Sequence, residues 1–264
     1  MSKKRVQEQF GASAEAYATS EIHARGTSLG RLVDLTKPQR EWIVLDVATG
    51  AGHTAITFAH HVAQVIASDI TMRMLELTAK MARDKGLSNV APAGADAEQL
   101  PFSDSSLDLV TCRVAAHHFP DLADFMAESA RVLRPGGLLA VVDNIVPGSH
   151  RKGKKGRAAE EAGRYINAFE ALRDPSHVRC LSLDGWQEQF YQAGLRIVHQ
   201  ELADKMLDFY DWMARMRVRP EDEIRLEAML RQAPADVADF LRPEFKARRA
   251  CFRLAVAIFV GIKE

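Results

Sequence analysis

One segment constrains the fold more than any other: Val44-Leu45-Asp46-Val47-Ala48-Thr49-Gly50-Ala51-Gly52-His53-Thr54-Ala55. A β-branched apolar run closes on a carboxylate, two glycines follow two residues apart, and helix-forming residues come next. That order predicts a strand, a tight turn and a helix start. Glycine has no Cβ, so Gly50 and Gly52 permit the turn and let a bulky ligand approach the backbone. The helix beginning near Thr54 would point its unpaired N–H groups at that ligand, which suits a nucleotide-like molecule.

Glycine spacing alone leaves a dinucleotide fingerprint open, because Ala55 stands where Gly-x-Gly-x-x-Gly tolerates a small residue. Asp46 tilts the reading away from it. A carboxylate two residues before the turn region would repel a pyrophosphate and welcome a cationic ligand.

Beyond this segment, short apolar runs alternate with helical patterns, the signature of an α/β fold with a mostly parallel sheet and crossover helices. Strands are expected near Trp42–Val47, Val65–Ser68, Val90–Ala93, Leu107–Cys112, Leu138–Val142, Arg196–Glu201 and Phe252–Ile262. Helices are expected at Thr54–His61, Thr71–Lys85 and Leu122–Leu133. Residues 1–40 read as helical. So do residues 204–250, where Met206, Phe209, Tyr210, Met213 and Met216 recur at three- and four-residue steps and Pro220, Pro234 and Pro243 break the segment into short helices.

Composition narrows the function classes. With 35 basic and 35 acidic residues the formal charge is zero, which disfavours a nucleic-acid partner. Cys112, Cys180 and Cys251 are too few and too far apart for a metal cluster or a disulfide framework, so no metal site is expected and the thiols suit a reducing cytosol. The longest apolar run, Leu254 to Val260, is far below membrane-spanning length. A soluble cytoplasmic protein, monomer or homodimer, is expected. The basic run Arg151 to Arg157 reads as a solvated loop or as an attractant for an acidic partner.

The segment Asp46-x-Ala48-x-Gly50-x-Gly52 resembles the first motif of class I S-adenosylmethionine-dependent methyltransferases, with Ala48 at the first glycine. Further landmarks follow in the family's order: Val65-Ile66-Ala67-Ser68-Asp69, Gly94 to Phe102, Leu107 to Cys112, and Arg131 to Leu139. The resemblance implies a doubly wound, Rossmann-like sheet of seven strands with the last antiparallel. It implies one methyltransferase domain: a helical cap over 1–39, a cofactor core over 40–145, an acceptor side over 146–203, a second cap over 204–250 and a final strand over 251–264.

It also implies S-adenosyl-L-methionine as cofactor, leaving as S-adenosyl-L-homocysteine. Asp46 would orient the methionine end, with Thr49, Gly50, Ala51 and Gly52 supplying close backbone approach. Asp69 would accept from the ribose diol, since a carboxylate has acceptor sites on both oxygens. Ile70 and Met74 would pack on the adenine, Asp96 would accept from its exocyclic amine, and Ala97 would offer a backbone N–H. Arg113 would meet the cofactor through its backbone, and Tyr17 would close over it. Tyr17 and His23 both match residues of similar methyltransferases. Asp108 reads instead as a tether for a neighbouring backbone.

Methyl transfer from a sulfonium needs mainly alignment and water exclusion. His117 and His118 follow the fourth strand, where either is a candidate general base or a shaper of the cleft. Trp212, Arg215 and Arg217 are candidates for an acceptor site, arginine suiting a carboxylate or phosphate. The expected activity is methylation of a small-molecule carbon, oxygen or nitrogen nucleophile, a quinone precursor among the candidates. The rival readings are a nucleotide-dependent oxidoreductase and a non-catalytic, macromolecule-binding member of the fold.

Overall fold

Each apolar strand of the centre of the sheet sends alternate residues to opposite faces, and helices cover both. The structure, a computed structural model, describes residues 3–18, 26–149, 153–246 and 249–264, without the side chains of residues 12, 13 and 16–18. Tyr17 and His23 therefore lie outside the described side chains, as do Arg151 and Lys152 of the basic run.

In chain order the elements are α1 (Lys3–Ala18), α2 (Thr27–Thr36), β1 (Ile43–Val47), α3 (His53–Ala59), β2 (Gln64–Asp69), α4 (Met72–Asp84), β3 (Val90–Gly94) and β4 (Leu107–Arg113). A 3-10 turn (Ala116–His118) precedes α5 (Leu122–Val132) and β5 (Leu133–Ile145). Then come α6 (Lys154–Arg173), α7 (Leu183–Gln192), β6 (Leu195–Asp208), α8 (Phe209–Ala214), α9 (Pro220–Arg231), α10 (Ala235–Leu241), β7 (Glu244–Lys246) and β8 (Arg249–Lys263).

The strand order is β3-β2-β1-β4-β5-β8-β6, with β7 an eighth, three-residue strand paired to β8. β1 runs parallel to both β2 and β4, placing Val47 beside Ser68 and Cys112. The final strand, β8, runs antiparallel between β5 and β6. One face of the sheet buries Leu45, Val110, Cys112, Val141 and Phe259 under Phe125 of α5 and Trp186 of α7. The other buries Val44, Leu109, Ala140, Val142 and Ile258 under Leu32 of α2 and Phe58 of α3. Because both faces are covered, the central strands carry no polar alternation.

The expectation of helix across 204–250 is corrected at both ends: Glu244–Lys246 form β7, β8 already starts at Arg249, and β6 runs into the segment at its start. β6 continues to Asp208, pairing Leu207 with Phe252 and Asp208 with Cys251, so Met206 is a strand residue and exposed. Helix begins only where the Asp208 carboxylate accepts from the N–H groups of Tyr210 and Asp211. Beyond that point Phe209, Trp212, Met213 and Met216 are buried. The first three join a separate apolar cluster with Phe169 of α6 and Phe252 of β8.

At the other end of the chain, α1 lies on α4 through Phe10, Ala14, Met74 and Leu77. Gln7 Nε2 donates to Ile70 O, and Lys3 bonds the Asp96 carboxylate, fixing α1 above the carboxyl ends of β1–β3. Lys154, Lys155 and Arg157, at the start of α6, are exposed. No helix among the described residues is long and apolar enough to cross a membrane.

Candidate functional site

The turn after β1 is built by Asp46, which is almost fully buried. Its Oδ2 accepts from Thr49 Oγ1 at 2.6 Å and Ala55 N at 3.2 Å, and its Oδ1 accepts from Thr111 Oγ1 at 2.7 Å. Burial pushes its carboxyl up to about 6, against the pull of those bonds and of the Arg113 charge. Asp46 is thus the organiser of the turn as well as part of the cleft floor.

The chain passes Ala48 at φ 51°, Gly50 at φ 57° and Gly52 at φ 90°, all in the left-handed region. Ala48 takes there a conformation that glycine adopts without strain. The two glycines serve different ends. A Cβ on Gly50 would meet nothing within 4 Å, so the room above the turn is open. A Cβ on Gly52 would stand 2.8 Å from Thr78 Cγ2, so this glycine lets α3 approach α4.

Asp69 ends β2 beside the same turn. Its Oδ2 accepts from Gly50 N at 2.9 Å and its Oδ1 from Thr71 N at 2.8 Å. Burial raises its pKa, and those two N–H groups oppose the rise. Ile70, Met74, Asp96 and Ala97 line one wall of a cleft of about 1040 Å³, counted with its open mouth. Asp46, Thr49, Gly50, Ala51, Asp69 and Arg113 line it too, so nearly every expected cofactor residue with a described side chain converges there. Gly52, also expected, is not among the lining residues.

α1 contributes Lys3, Val6 and Phe10 to this cleft, which sequence reasoning missed. Lys3 Nζ stands 2.5 Å from Asp96 and 2.6 Å from Glu98, so the first helix clamps the loop after β3. Arg113 Nε donates to Thr54 Oγ1 at 3.1 Å, and the residue is part of the cleft lining. Asp108 lies away from the site: its Oδ2 accepts from Ile43 N and its Oδ1 pairs with Arg134, the tethering role expected for it.

The two adjacent histidines have different surroundings. His117 Nδ1 lies 2.6 Å from Asp143 Oδ1, and its backbone N–H donates to Asp143 Oδ2. Asp143 Oδ1 also accepts from Asn144 N, which makes it an acceptor on both oxygens and assigns the imidazole proton to Nδ1. Burial draws the His117 pKa down, but the Asp143 carboxylate more than offsets it and the net shift is upward. His118 has its Nδ1 3.2 Å from Ser176 O and edges onto Phe10. Burial, with the neighbouring His117 charge, takes its pKa down to about 4. At neutral pH His118 is a neutral wall between spaces.

Beyond it lies a second chamber of about 570 Å³ with its opening, sharing Phe10, Val114 and His118 with the cleft. Val114 sits at φ 55°, a strained conformation for a β-branched residue, at the junction of the two. The second chamber gathers His117 and Asn144, then Glu170, Arg173, Asp174 and His177, then Lys205 and Leu207, and finally Trp212, Arg215 and Leu254. Trp212 and Arg215 were expected on an acceptor side; Arg217 is absent from the lining. His117 and His118 were expected as well; Asn144, Glu170, Arg173, Asp174, His177 and Lys205 were missed, because they come from segments far apart along the chain and carry no local signature. No group of three or more His, Cys, Asp or Glu suited to a metal occurs among the described residues.

Comparison with known proteins agrees with this architecture. A methyltransferase-domain family model matches residues 45–141. YcgJ of Bacillus subtilis, described as an uncharacterized methyltransferase, is 34% identical over 230 residues, covering 87% of each chain. Its crystal structure superimposes with a TM-score of 0.81 at 32% identity, covering 90% of this chain and 98% of that one. A demethylmenaquinone methyltransferase of Deinococcus radiodurans is 42% identical over 108 residues, which is 40% of this chain and 44% of that protein. In fold alone, a phosphoethanolamine N-methyltransferase of Haemonchus contortus, solved with S-adenosyl-L-methionine, gives a TM-score of 0.57 at 15% identity, covering 90% of this chain and 52% of that one.

Proposed function

Because the chain belongs to the class I S-adenosylmethionine-dependent methyltransferases, we propose that it methylates a small-molecule acceptor held in the second chamber, with the cofactor in the larger cleft. The observation that carries this reading is the adjacency of the two spaces, which share Phe10, Val114 and His118 as lining. The donor set of the cleft fits the cofactor: carboxylates at the ends of β1 and β2, a turn with open room above Gly50, and apolar walls at Ile70, Met74 and Phe119.

In this reading Asp69 accepts from the ribose hydroxyls with the lone pairs that Gly50 and Thr71 leave. Ala97 and Asp96 meet the adenine edge, while Lys3 keeps that loop in place. Asp46 holds Thr49 and the first turn of α3 and adds negative potential beneath the cationic end. The cofactor supplies the activated methyl and its leaving group, so the protein contributes position and dryness.

His117, rather than His118, is the residue suited to general base. Asp143 fixes its Nδ1–H, which leaves Nε2 as acceptor in a residue lining the second chamber. An acceptor O–H or N–H would give its proton to that nitrogen as its lone pair takes the methyl. His118 bounds the cleft and helps exclude water. The even charge balance of the whole chain supports a small acceptor over nucleic acid.

Calorimetric titration with S-adenosylhomocysteine tests the cofactor half. Micromolar binding that Asp69→Ala abolishes is expected, and a folded protein that binds none would overturn the reading.

A further inference from the structure

The second chamber has more polar character than a passage for a neutral substrate requires. Three cationic side chains, Arg173, Lys205 and Arg215, reach it from α6, β6 and the end of α8. Arg173 is held in place: its Nε donates to Trp212 O at 3.0 Å and its guanidinium lies 4.5 Å from the Trp212 ring centroid. Lys205 makes no hydrogen bond or ion pair with any described residue. Burial and the neighbouring charges of Arg215, Arg113 and Arg173 bring its pKa down to about 8, with Glu170 opposing them. A cation drawn out of water among like charges is costly unless an anion joins it.

The acids on the wall do not fill that role. Asp174 accepts from Ser176 N and from Ser176 Oγ, both through the same oxygen, and its other oxygen faces His118 at 3.9 Å. Glu170 is driven by burial toward its neutral form. Two acceptor atoms of the chamber are also unpartnered: Glu170 Oε1 and Asn144 Oδ1, in residues only 5% and 9% exposed. Buried polar atoms of this kind are normally hydrogen-bonded. The chamber therefore leaves the Lys205 ammonium without an acceptor and two acceptor atoms without a donor, beside the apolar side chains of Leu207 and Leu254.

We propose that the methyl acceptor is a small organic acid, its carboxylate held between Lys205 and Arg173 and its hydroxyl or amino group turned toward Asn144 and His117. This rests on the methyl-transfer reading above, and it names the substrate class of that same site. Arginine's planar fork suits a carboxylate, while Leu207 and Leu254 take the apolar body of the acid.

The test uses the full chain saturated with S-adenosylhomocysteine and titrated by calorimetry with 4-hydroxybenzoate, 3-hydroxybenzoate and 3-hydroxypropanoate, each against its primary amide. At least one acid should bind, and more tightly than its amide by roughly tenfold, as expected for hydrogen bonds to charged groups. Lys205→Met should remove that preference and Lys205→Arg should keep it, with S-adenosylhomocysteine affinity unchanged in both. A Glu170→Gln variant, which leaves the cations in place, should retain the preference for the acid. Equal binding of acid and amide, a preference that survives Lys205→Met, or no binding of any acid overturns the proposal. If S-adenosylhomocysteine itself fails to bind, the methyl-transfer reading falls, and that outcome is separate from the failure of the acid to bind.

Discussion

His117 Nδ1 and Asp143 Oδ1 face each other at 2.6 Å, with both side chains buried and the same carboxylate accepting the His117 backbone N–H. A carboxylate in this position selects the tautomer that presents Nε2 as acceptor and stabilises the imidazolium that forms when the ring takes a proton. Replacing it with an amide removes the charge and permits the other tautomer.

Asp143→Asn should lower the His117 pKa, since the carboxylate is what lifts it against burial. The raised folded value means that His117 contributes stability fully present below its unfolded pKa and lost as pH rises through the folded one. The variant should lose that alkaline fall. Imidazole titration by nuclear magnetic resonance reads the first effect and thermal unfolding against pH reads the second. With an identified acceptor, turnover should drop by about 10²–10⁴, the range of general base catalysis, with S-adenosylhomocysteine affinity unchanged.

Asp46 illustrates a carboxylate whose burial works against stability at neutral pH. Its folded pKa of about 6 lies above the unfolded value of 3.8. The associated stability is therefore present below the unfolded value and is lost as pH rises through about 6. The loss amounts to at most about 3 kcal/mol. Asp46→Asn should gain on the wild type in unfolding temperature between pH 4 and pH 8, while weakening cofactor binding. An equal difference at both pH values would show that burial does not perturb this group.

Asp69→Asn keeps the shape of the side chain but turns an N–H₂ toward either Gly50 N or Thr71 N. Cofactor affinity should fall by about ten- to a hundredfold, as for a hydrogen-bonded group lost from a buried site at a cost of about 1–3 kcal/mol. Titration with S-adenosylhomocysteine gives the answer, and unchanged affinity would remove Asp69 from the site.

The two turn glycines should respond differently to a methyl group. Gly50→Ala meets no atom within 4 Å and bears only left-handed strain, about 1–2 kcal/mol. Gly52→Ala adds a contact of 2.8 Å with Thr78, so its loss in urea unfolding should exceed that of Gly50→Ala by about 1 kcal/mol or more. Equal losses would mean that Thr78 moves aside without cost.

Much of the cofactor half was legible in the residues. β1 starts at Ile43 against an expected Trp42, and β2–β4 run one residue past their expected ends, as β2 does at its start. In β1 and β4 the signal is a run of Val, Ile and Leu buried on both faces. The 204–250 region misled because Met206, Phe209, Met213 and Met216 keep helical spacing across a boundary. Long-range pairing of β6 with β8 overrides that spacing up to Asp208. The clamp of Lys3 on Asp96 and Glu98 had no signal in the sequence, because its partners are more than ninety residues apart.

The sequence by itself determined the turn after β1, the carboxylates at Asp46 and Asp69 and the family they mark. These features are written in contiguous residues, where strand, turn and helix follow local rules of chain geometry and hydrogen bonding. Only the tertiary structure decided that His117 has Asp143 as its partner, and that Asn144, Glu170, Arg173 and Lys205 share one chamber. Those side chains come from β5, α6 and β6, and what unites them is the packing of α6 and α8 against the far end of β8. Electrostatics in that space depends on distance and burial, and neither follows from spacing along the chain.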